Sequence, residues 1–203
     1  MRILAIAGSL RSTSSNAALL RAAARAAPAG VAVVFYEGLG TIPPFSPDLD
    51  VEPLPGPVAA LRAQIAAADA IIICSPEYAH GMPGVLKNLL DWLVSALEAL
   101  GKPVLLVSAS PGGAAHAHAQ LSEVLRTMNL KLVDGGAHVF TRARLDAQGG
   151  VSDPALLAAV ARGVAALVNS VDTTSPPGGG ERAPGEGSRP AGPPSRTPSG
   201  PSG

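Results

Sequence analysis

Between Gly8 and Asn16 the chain reads GSLRSTSSN, a loop that packs the hydroxyls of Ser9, Ser12, Thr13, Ser14 and Ser15 around Arg11. It follows a short apolar run, Ile3 to Ala7, of the kind that forms a strand buried on both faces of a parallel sheet. It precedes an alanine- and leucine-rich stretch, about Asn16 to Ala27, with the composition of a helix. A strand, a hydroxyl-rich loop and a helix start together make an anion site. Backbone N–H groups and the positive end of the helix dipole favour a phosphate, hydroxyls donate to its oxygens, and Arg11 neutralises charge. Neither G-x-G-x-x-G nor G-x-x-x-x-G-K-[ST] follows Gly8, so the loop suits a terminal phosphomonoester, such as that of FMN, better than a diphosphate lying along the backbone. An ordinary N-cap in a polar loop accounts for the same residues, and this stretch alone leaves both readings open.

The second stretch with chemical content is Ser75 to Leu93, SPEYAHGMPGVLKNLLDWL. A buried strand, Ala70 to Cys74, should end there at the carboxyl edge of the sheet, where open α/β folds bind their ligands. The Tyr78 ring can pack on a planar heterocycle, while Glu77 and loop N–H groups can bond its polar rim or cap local N–H groups instead. His80 can meet a second substrate or simply face solvent. A further tight loop, Ser110-Pro111-Gly112-Gly113, should lie at the same edge. Cys74 reads as a small core residue rather than a redox thiol. His116 and His118 are two apart on an expected helix, so they point in different directions and form no metal pair. Lys87 and Asp91 have the i, i+4 spacing of an ion pair.

The elements that position these loops alternate along the chain. Val31 to Tyr36 is an expected second strand, and Glu37 to Pro57, rich in Gly, Pro and Asp, an ordered but irregular loop. A helix to about Ala68, the strand to Cys74, and a helix from Gly84 or Val85 follow. That helix carries Val85, Leu86, Leu89, Leu90, Trp92, Leu93, Val94 and Leu97, apolar over most of its circumference, which predicts burial against both its own sheet and a second subunit. A fourth strand at Lys102 to Ala109, a helix to about Met128, and a fifth strand at Val133 to Phe140 come next, with Asp134 to Gly136 bending the chain where that strand begins. Asp153 and Pro154 cap a last helix, Ala155 to about Val168. Five strands with helices between them predict a doubly wound α/β domain over residues 1–170. Residues 171–203, almost wholly Pro, Gly, Ser, Thr, Arg and Glu, read as a disordered tail.

Composition bounds the function. The 203 residues are 47% hydrophobic with a formal net charge of zero, enough for one core and without the basic excess that holds nucleic acid. Apolar runs look too short to cross a bilayer, and the N-terminus lacks a signal-peptide h-region, so a cytoplasmic protein with no membrane partner is expected. One cysteine rules out an internal disulfide framework or a C-x-x-C pair, so electron transfer would need a bound cofactor.

The segment Gly8 to Asn16, with Pro76-Glu-Tyr78, Pro83-Gly-Val-Leu-Lys-Asn88 and Asp91-Trp92, resembles the NADPH-dependent FMN reductase family, whose relatives include chromate, quinone and azo-dye reductases. The resemblance spans about residues 1–170 and implies a flavodoxin-like three-layer sandwich, a five-stranded parallel sheet with helices on both faces. It implies FMN held by its phosphate on Ser9, Arg11, Ser14, Ser15 and Asn16. The flavin ring would lie near Pro76, Glu77, Tyr78, Ala79, His80 and Gly81, and near Ser110, Gly112 and Gly113 of the later loop. It implies electrons passing from NADPH or NADH through FMN to a small acceptor, with no catalytic acid, base or metal from the protein, and a homodimer or homotetramer packed through the helix after Pro83. The chain departs from the family at Ala79 and His80, where Asn and then Ser or Gly are common, and at Ala114 and Ala115, where an arginine often follows the Gly-Gly loop. A flavodoxin-type electron carrier, though usually strongly acidic, and a flavin-free phosphate-binding module remain alternatives.

Overall fold

Strand and helix alternate from the first residues of the chain. The computed structural model describes residues 1–11, 14–141 and 144–172, so the expected tail lies outside the described residues from 173 onward. The elements are β1 (Arg2–Ala7), α1 (Ser15–Ala26), β2 (Ala32–Tyr36), α2 (Gly56–Ala66), β3 (Ala70–Ser75), α3 (Gly84–Asp91), β4 (Pro103–Ser110), α4 (Ala115–Thr127), β5 (Lys131–Val139) and α5 (Pro154–Asp172). All strands pair in parallel, in the order β2-β1-β3-β4-β5. This is the flavodoxin-like winding, in which the chain reverses direction across the sheet between β1 and β3 and leaves a crevice at their carboxyl ends.

Side-chain alternation divides the core into two layers. Ile3, Ala5, Ile72, Cys74, Leu105 and Val107 face α1 and α5. Leu4, Ile6, Ile71, Ile73, Val104 and Leu106 face the layer that holds Leu61 and Ile65 of α2, Leu86 and Leu89 of α3, and Leu121 and Leu125 of α4. Being covered on both sides is why the three central strands read as unbroken apolar runs rather than alternating ones.

Three expectations need correction. The helix after Pro83 ends at Asp91 instead of running through Leu97. Past that point Arg62 donates to the Trp92 carbonyl from Nη2 (2.9 Å) and Nε (3.3 Å), and the Trp92 indole N–H reaches Pro43 O at 2.8 Å. Within α3 the buried residues are Leu86, Leu89 and Leu90, one stripe, while Trp92 and Leu93 turn into the same core and Val94 and Leu97 stand exposed. The wide apolar face was therefore a helix followed by a turn, read as one helix. The Gly135-Gly136 pair likewise lies inside β5, not at its start. The register against β4 slips there, with Asp134 opposite Leu106 and Ala137 opposite Ser108. Gly136 takes φ +83°, and a Cβ on Gly135 would stand 2.6 Å from Leu106 O. Finally, Pro154–Val171 is long and apolar enough to cross a membrane by length and composition, with a mean hydropathy of 1.6. Leu156, Val160, Val164 and Leu167 bury one face of that helix on the sheet, and its outer face is apolar mainly because it is alanine.

Asp153 caps α5 as its position suggests. Its Oδ1 accepts from Ala155 N (3.0 Å) and Leu156 N (3.2 Å), and its Oδ2 pairs with Arg144 (2.7 Å). The Leu156 N–H, with Ala155 and the Arg144 guanidinium, holds the carboxyl below its ordinary value. A depressed folded pKa means that this stabilisation is complete above the ordinary aspartate range and disappears as pH falls through the folded value. Asp153→Ala should therefore lower Tm at neutral pH, and the gap to wild type should narrow as pH falls below the ordinary aspartate range. A gap that persists unchanged in acid would refute the cap.

Candidate functional site

The site begins where β1 stops. Gly8 N–H donates to Cys74 O at 2.8 Å, joining the ends of β1 and β3. A Cβ at Gly8 would come within 2.9 Å of Leu86 Cδ2 and 3.1 Å of Ser75 Oγ, so any side chain there would force the buried Leu86 to shift. Past it, the Arg11 N–H donates to Ser9 Oγ (3.3 Å), which also shares a hydrogen bond of 3.0 Å with the Tyr78 hydroxyl. Ser12 and Thr13, expected among the hydroxyl donors, lie outside the described residues. Ser14 is the N-cap of α1, accepting from Asn16 N at 3.1 Å. Asn16, only 3% exposed, ties α1 to β3 and β4: its Nδ2 donates to Ala109 O (3.2 Å) and its Oδ1 accepts from Cys74 Sγ (3.0 Å). Cys74 is a core residue, its thiol pKa pushed up by burial.

The loop after β3 is held from α4. Glu77 Oε2 accepts from Ala117 N (2.9 Å), so its carboxylate caps the first turn of a helix whose own N-cap position, Ala114, offers no side-chain acceptor. Gln120 Oε1 accepts from Met82 N (2.9 Å), and the His80 and His116 rings stack with centroids 4.3 Å apart. Of the two roles open to Glu77, capping is the one with a hydrogen bond to support it. Between these anchors Tyr78 and Gly81 exchange both backbone hydrogen bonds, at 2.9 and 3.0 Å. The two residues they enclose, Ala79 and His80, take φ +49° and +61°. A two-residue hairpin of this kind favours Asn-Gly, because asparagine and glycine enter the left-handed region at little cost.

The third wall follows β4. Ser110 Oγ donates to Gly113 O (3.0 Å), and Ser110 O accepts from Phe140 N (2.9 Å), which brings the end of β5 to the same edge. Eight of the expected site residues meet here: Arg11, Ser14, Ser15, Asn16, Pro76, Glu77, Tyr78 and Ser110 line one cleft of about 270 Å³, with Ala109, Pro111 and Phe140. Ser9 lines an adjoining depression of about 420 Å³ that shares Arg11 and Tyr78 with the cleft. Ala79, His80 and Gly81 form the hairpin turn, and Gly112 and Gly113 lie in the loop beyond Ser110; none of these five lines the cleft. Phe140 was missed, although its place at the carboxyl end of a strand was the signal that would have found it. Elsewhere Lys87 and Asp91 form the expected i, i+4 pair at 2.5 Å. His118 is occupied by Ser108 and Asp134, both at 3.0 Å.

Several known proteins are similar. The family model of NADPH-dependent FMN reductases matches residues 1–144. An NAD(P)H-dependent FMN reductase of Pseudomonas aeruginosa is 35% identical over 159 residues, 75% of this chain and 85% of that protein. A quinone reductase of Escherichia coli is 35% identical over 130 residues, 62% of this chain and 69% of that one. Among solved structures, a flavoenzyme NAD(P)H:(acceptor) oxidoreductase from Paracoccus denitrificans superposes with a TM-score of 0.75 at 26% identity, covering 85% of this chain and 97% of that one.

The left-handed hairpin yields a test. Ala79→Asn should relieve about 1 kcal/mol of backbone cost, raising Tm by about 2–4 °C in a domain of this size. A Tm equal to or below that of wild type would show that the turn does not hold this conformation in solution.

Proposed function

This chain belongs to the NADPH-dependent FMN reductase family, and from that premise we propose that FMN occupies the cleft above β1, β3 and β4 and that the acceptor is a small quinone. The protein is an NAD(P)H-dependent flavin oxidoreductase. The observation that carries the site reading is that one cleft gathers both kinds of chemistry FMN needs. Arg11, Ser14, Ser15 and Asn16, from the loop before α1 and its first turn, line it together with Pro76, Tyr78, Ser110, Pro111 and Phe140. A cation and neutral donors fit a phosphomonoester, and aromatic and proline side chains fit a flat ring, so the residues present suit FMN.

When bound, FMN supplies the capacity to take a hydride from a reduced nicotinamide and return two electrons to an acceptor. The protein's part is to bind and orient. Arg11 neutralises phosphate charge while Ser14, Ser15 and Asn16 donate to its oxygens. Ser9 and Tyr78 brace each other across the opening, fixing the side of the ring pocket. The proposed donors to the ring's polar edge are backbone N–H groups of the segments from Glu77 to His80 and from Ser110 to Gly113, of which Glu77, Tyr78, Ser110 and Pro111 line the cleft while Ala79, His80, Gly112 and Gly113 border it. No side chain here is assigned as a general acid or base. NADPH is the proposed donor, with NADH as the alternative.

Val94 and Leu97, 64% and 78% exposed just past α3, support an interface with a second copy of the chain. A sedimentation mass twice that of the chain is expected, and a monomer at micromolar concentration would overturn this reading. The one buried thiol suits a reducing, cytoplasmic setting. The proposed tail is residues 173–203, since Val171 and Asp172 complete α5, and it takes no part in the site.

The decisive experiment is an absorbance spectrum after FMN loading and desalting, followed by anaerobic NADPH and then a benzoquinone. Retained visible bands that bleach with NADPH and return with quinone are expected. Bands that stay unbleached with either nicotinamide would point to an electron carrier. Arg11→Ala should weaken FMN binding about tenfold or more with the fold intact, as loss of a charge-assisted contact implies. Unchanged affinity would remove Arg11 from the phosphate site.

A further inference from the structure

Asn16 is the one amide in the cleft, and an amide can offer a ligand either of two opposite groups, an N–H donor or a carbonyl acceptor. Which of them it offers depends on what holds it from behind. Ala109 O, 3.2 Å away, is a backbone carbonyl that only accepts, so the atom facing it is Nδ2. Oδ1 then faces Cys74 Sγ at 3.0 Å, and since Oδ1 only accepts, the thiol is the donor. Burial keeps that thiol protonated, raising its pKa. Its other surroundings are apolar: Leu19, Leu20, Ile72, Val107 and Val160 line the same small void.

Nδ2 carries two hydrogens, and Ala109 takes one. The second is left for a ligand, since Asn16 lines the cleft. Turned over, the amide would set its carbonyl oxygen against Ala109 O, where neither atom can donate, and would exchange the thiol's donation to Oδ1 for a weaker bond to the sulfur as acceptor, a net loss inside a buried site. The geometry points to Cys74 as a positioning residue whose thiol fixes the Asn16 amide so that a phosphate in the cleft meets an N–H donor and not a carbonyl. The inference rests on the reading of the cleft as the FMN site. It gives the chain's single cysteine a role that depends on its hydrogen rather than on redox chemistry. It also accounts for a weakly polar donor after the aliphatic run Ala70 to Ile73 of β3.

Three substitutions separate the donor from the volume. Cys74→Ser keeps a donor, Cys74→Ala removes it and leaves space, and Cys74→Val removes it and fills the space. FMN dissociation constants from quenching of flavin fluorescence should lie within about twofold of wild type for the serine variant and rise about three- to tenfold for the other two. Thermal melts of each variant without FMN would identify losses due to unfolding. Independently of any ligand, the Asn16 side-chain amide resonances of ¹⁵N-labelled protein should stay in place for serine and move for alanine and valine. Wild-type affinity in both donor-less variants would overturn the proposal, as would a serine variant as weak as alanine. Should wild type fail to bind FMN, the reading of the cleft falls. The Asn16 resonances would then decide the role of Cys74 by themselves: movement in alanine and valine alone supports it, and no movement refutes it.

Discussion

The carboxyl edge of the sheet depends on how tightly β1 and β3 end together. Gly8 N–H closes on Cys74 O at 2.8 Å, with Leu86 and Ser75 so near that a side chain at position 8 would force them to shift. From this junction the chain leaves in two directions, toward α1 on one face and toward the Pro76 loop and α3 on the other. The gap between the two departures is the crevice that doubly wound sheets leave at a switch point. A cleft therefore follows from the strand order, while its chemistry is decided by the few residues set on its rim.

Most of the polar residues at that rim hold the protein's own backbone. Ser14 caps α1, Asn16 ties Cys74 to Ala109, Glu77 caps α4, and Gln120 holds Met82. Each bond is modest on its own, about 1 kcal/mol net, but leaving a buried group such as the Asn16 amide unpaired costs more than making its bond returns. The loops are thus fixed before a ligand arrives, and a preformed site avoids the ordering cost that a flexible one would meet on binding. Some of these residues serve both purposes, since a capping hydroxyl or a tied amide has further hydrogen-bonding capacity for a ligand.

What the sequence made legible was local or periodic. The strands showed as aliphatic runs, α1 as an alanine-rich stretch behind a capping serine, and the last helix as Asp153-Pro154. The two loops of the cleft were marked by residue type, because hydroxyls beside an arginine and a tyrosine after Pro-Glu are uncommon combinations. Non-local partners were hidden. Cys74 and Asn16 are 58 positions apart, and nothing in either neighbourhood announces that they touch. The end of α3 was hidden for the same reason, because Arg62 and Pro43, which draw the Trp92 backbone and indole away from a helical path, come from elsewhere in the chain. Ala79-His80 gave no turn signal, having neither glycine nor asparagine, and the hairpin is imposed by anchors on both sides: Glu77 on Ala117, Met82 on Gln120, and the His80–His116 stack.

The same anchors decide where an anion goes. Helices α1, α3 and α4 all begin at this edge, and the amino-terminal end of each attracts negative charge. The first turn of α4 is already served by a carboxylate, since Glu77 lies on the Ala117 N–H and brings a full negative charge to the positive end of that helix. α1 has no acidic residue in its first turn, and its cap, Ser14, is a neutral hydroxyl, so its positive end is not compensated in this way, and Arg11 lies on the same cleft. A carboxylate at 77 and a serine at 14 therefore give the crevice a direction. A negatively charged group is drawn to α1 and repelled from α4, which leaves Tyr78 and Phe140 for the uncharged part of the ligand. With those two residue types exchanged the strand order would still make a cleft, but its polarity would be reversed.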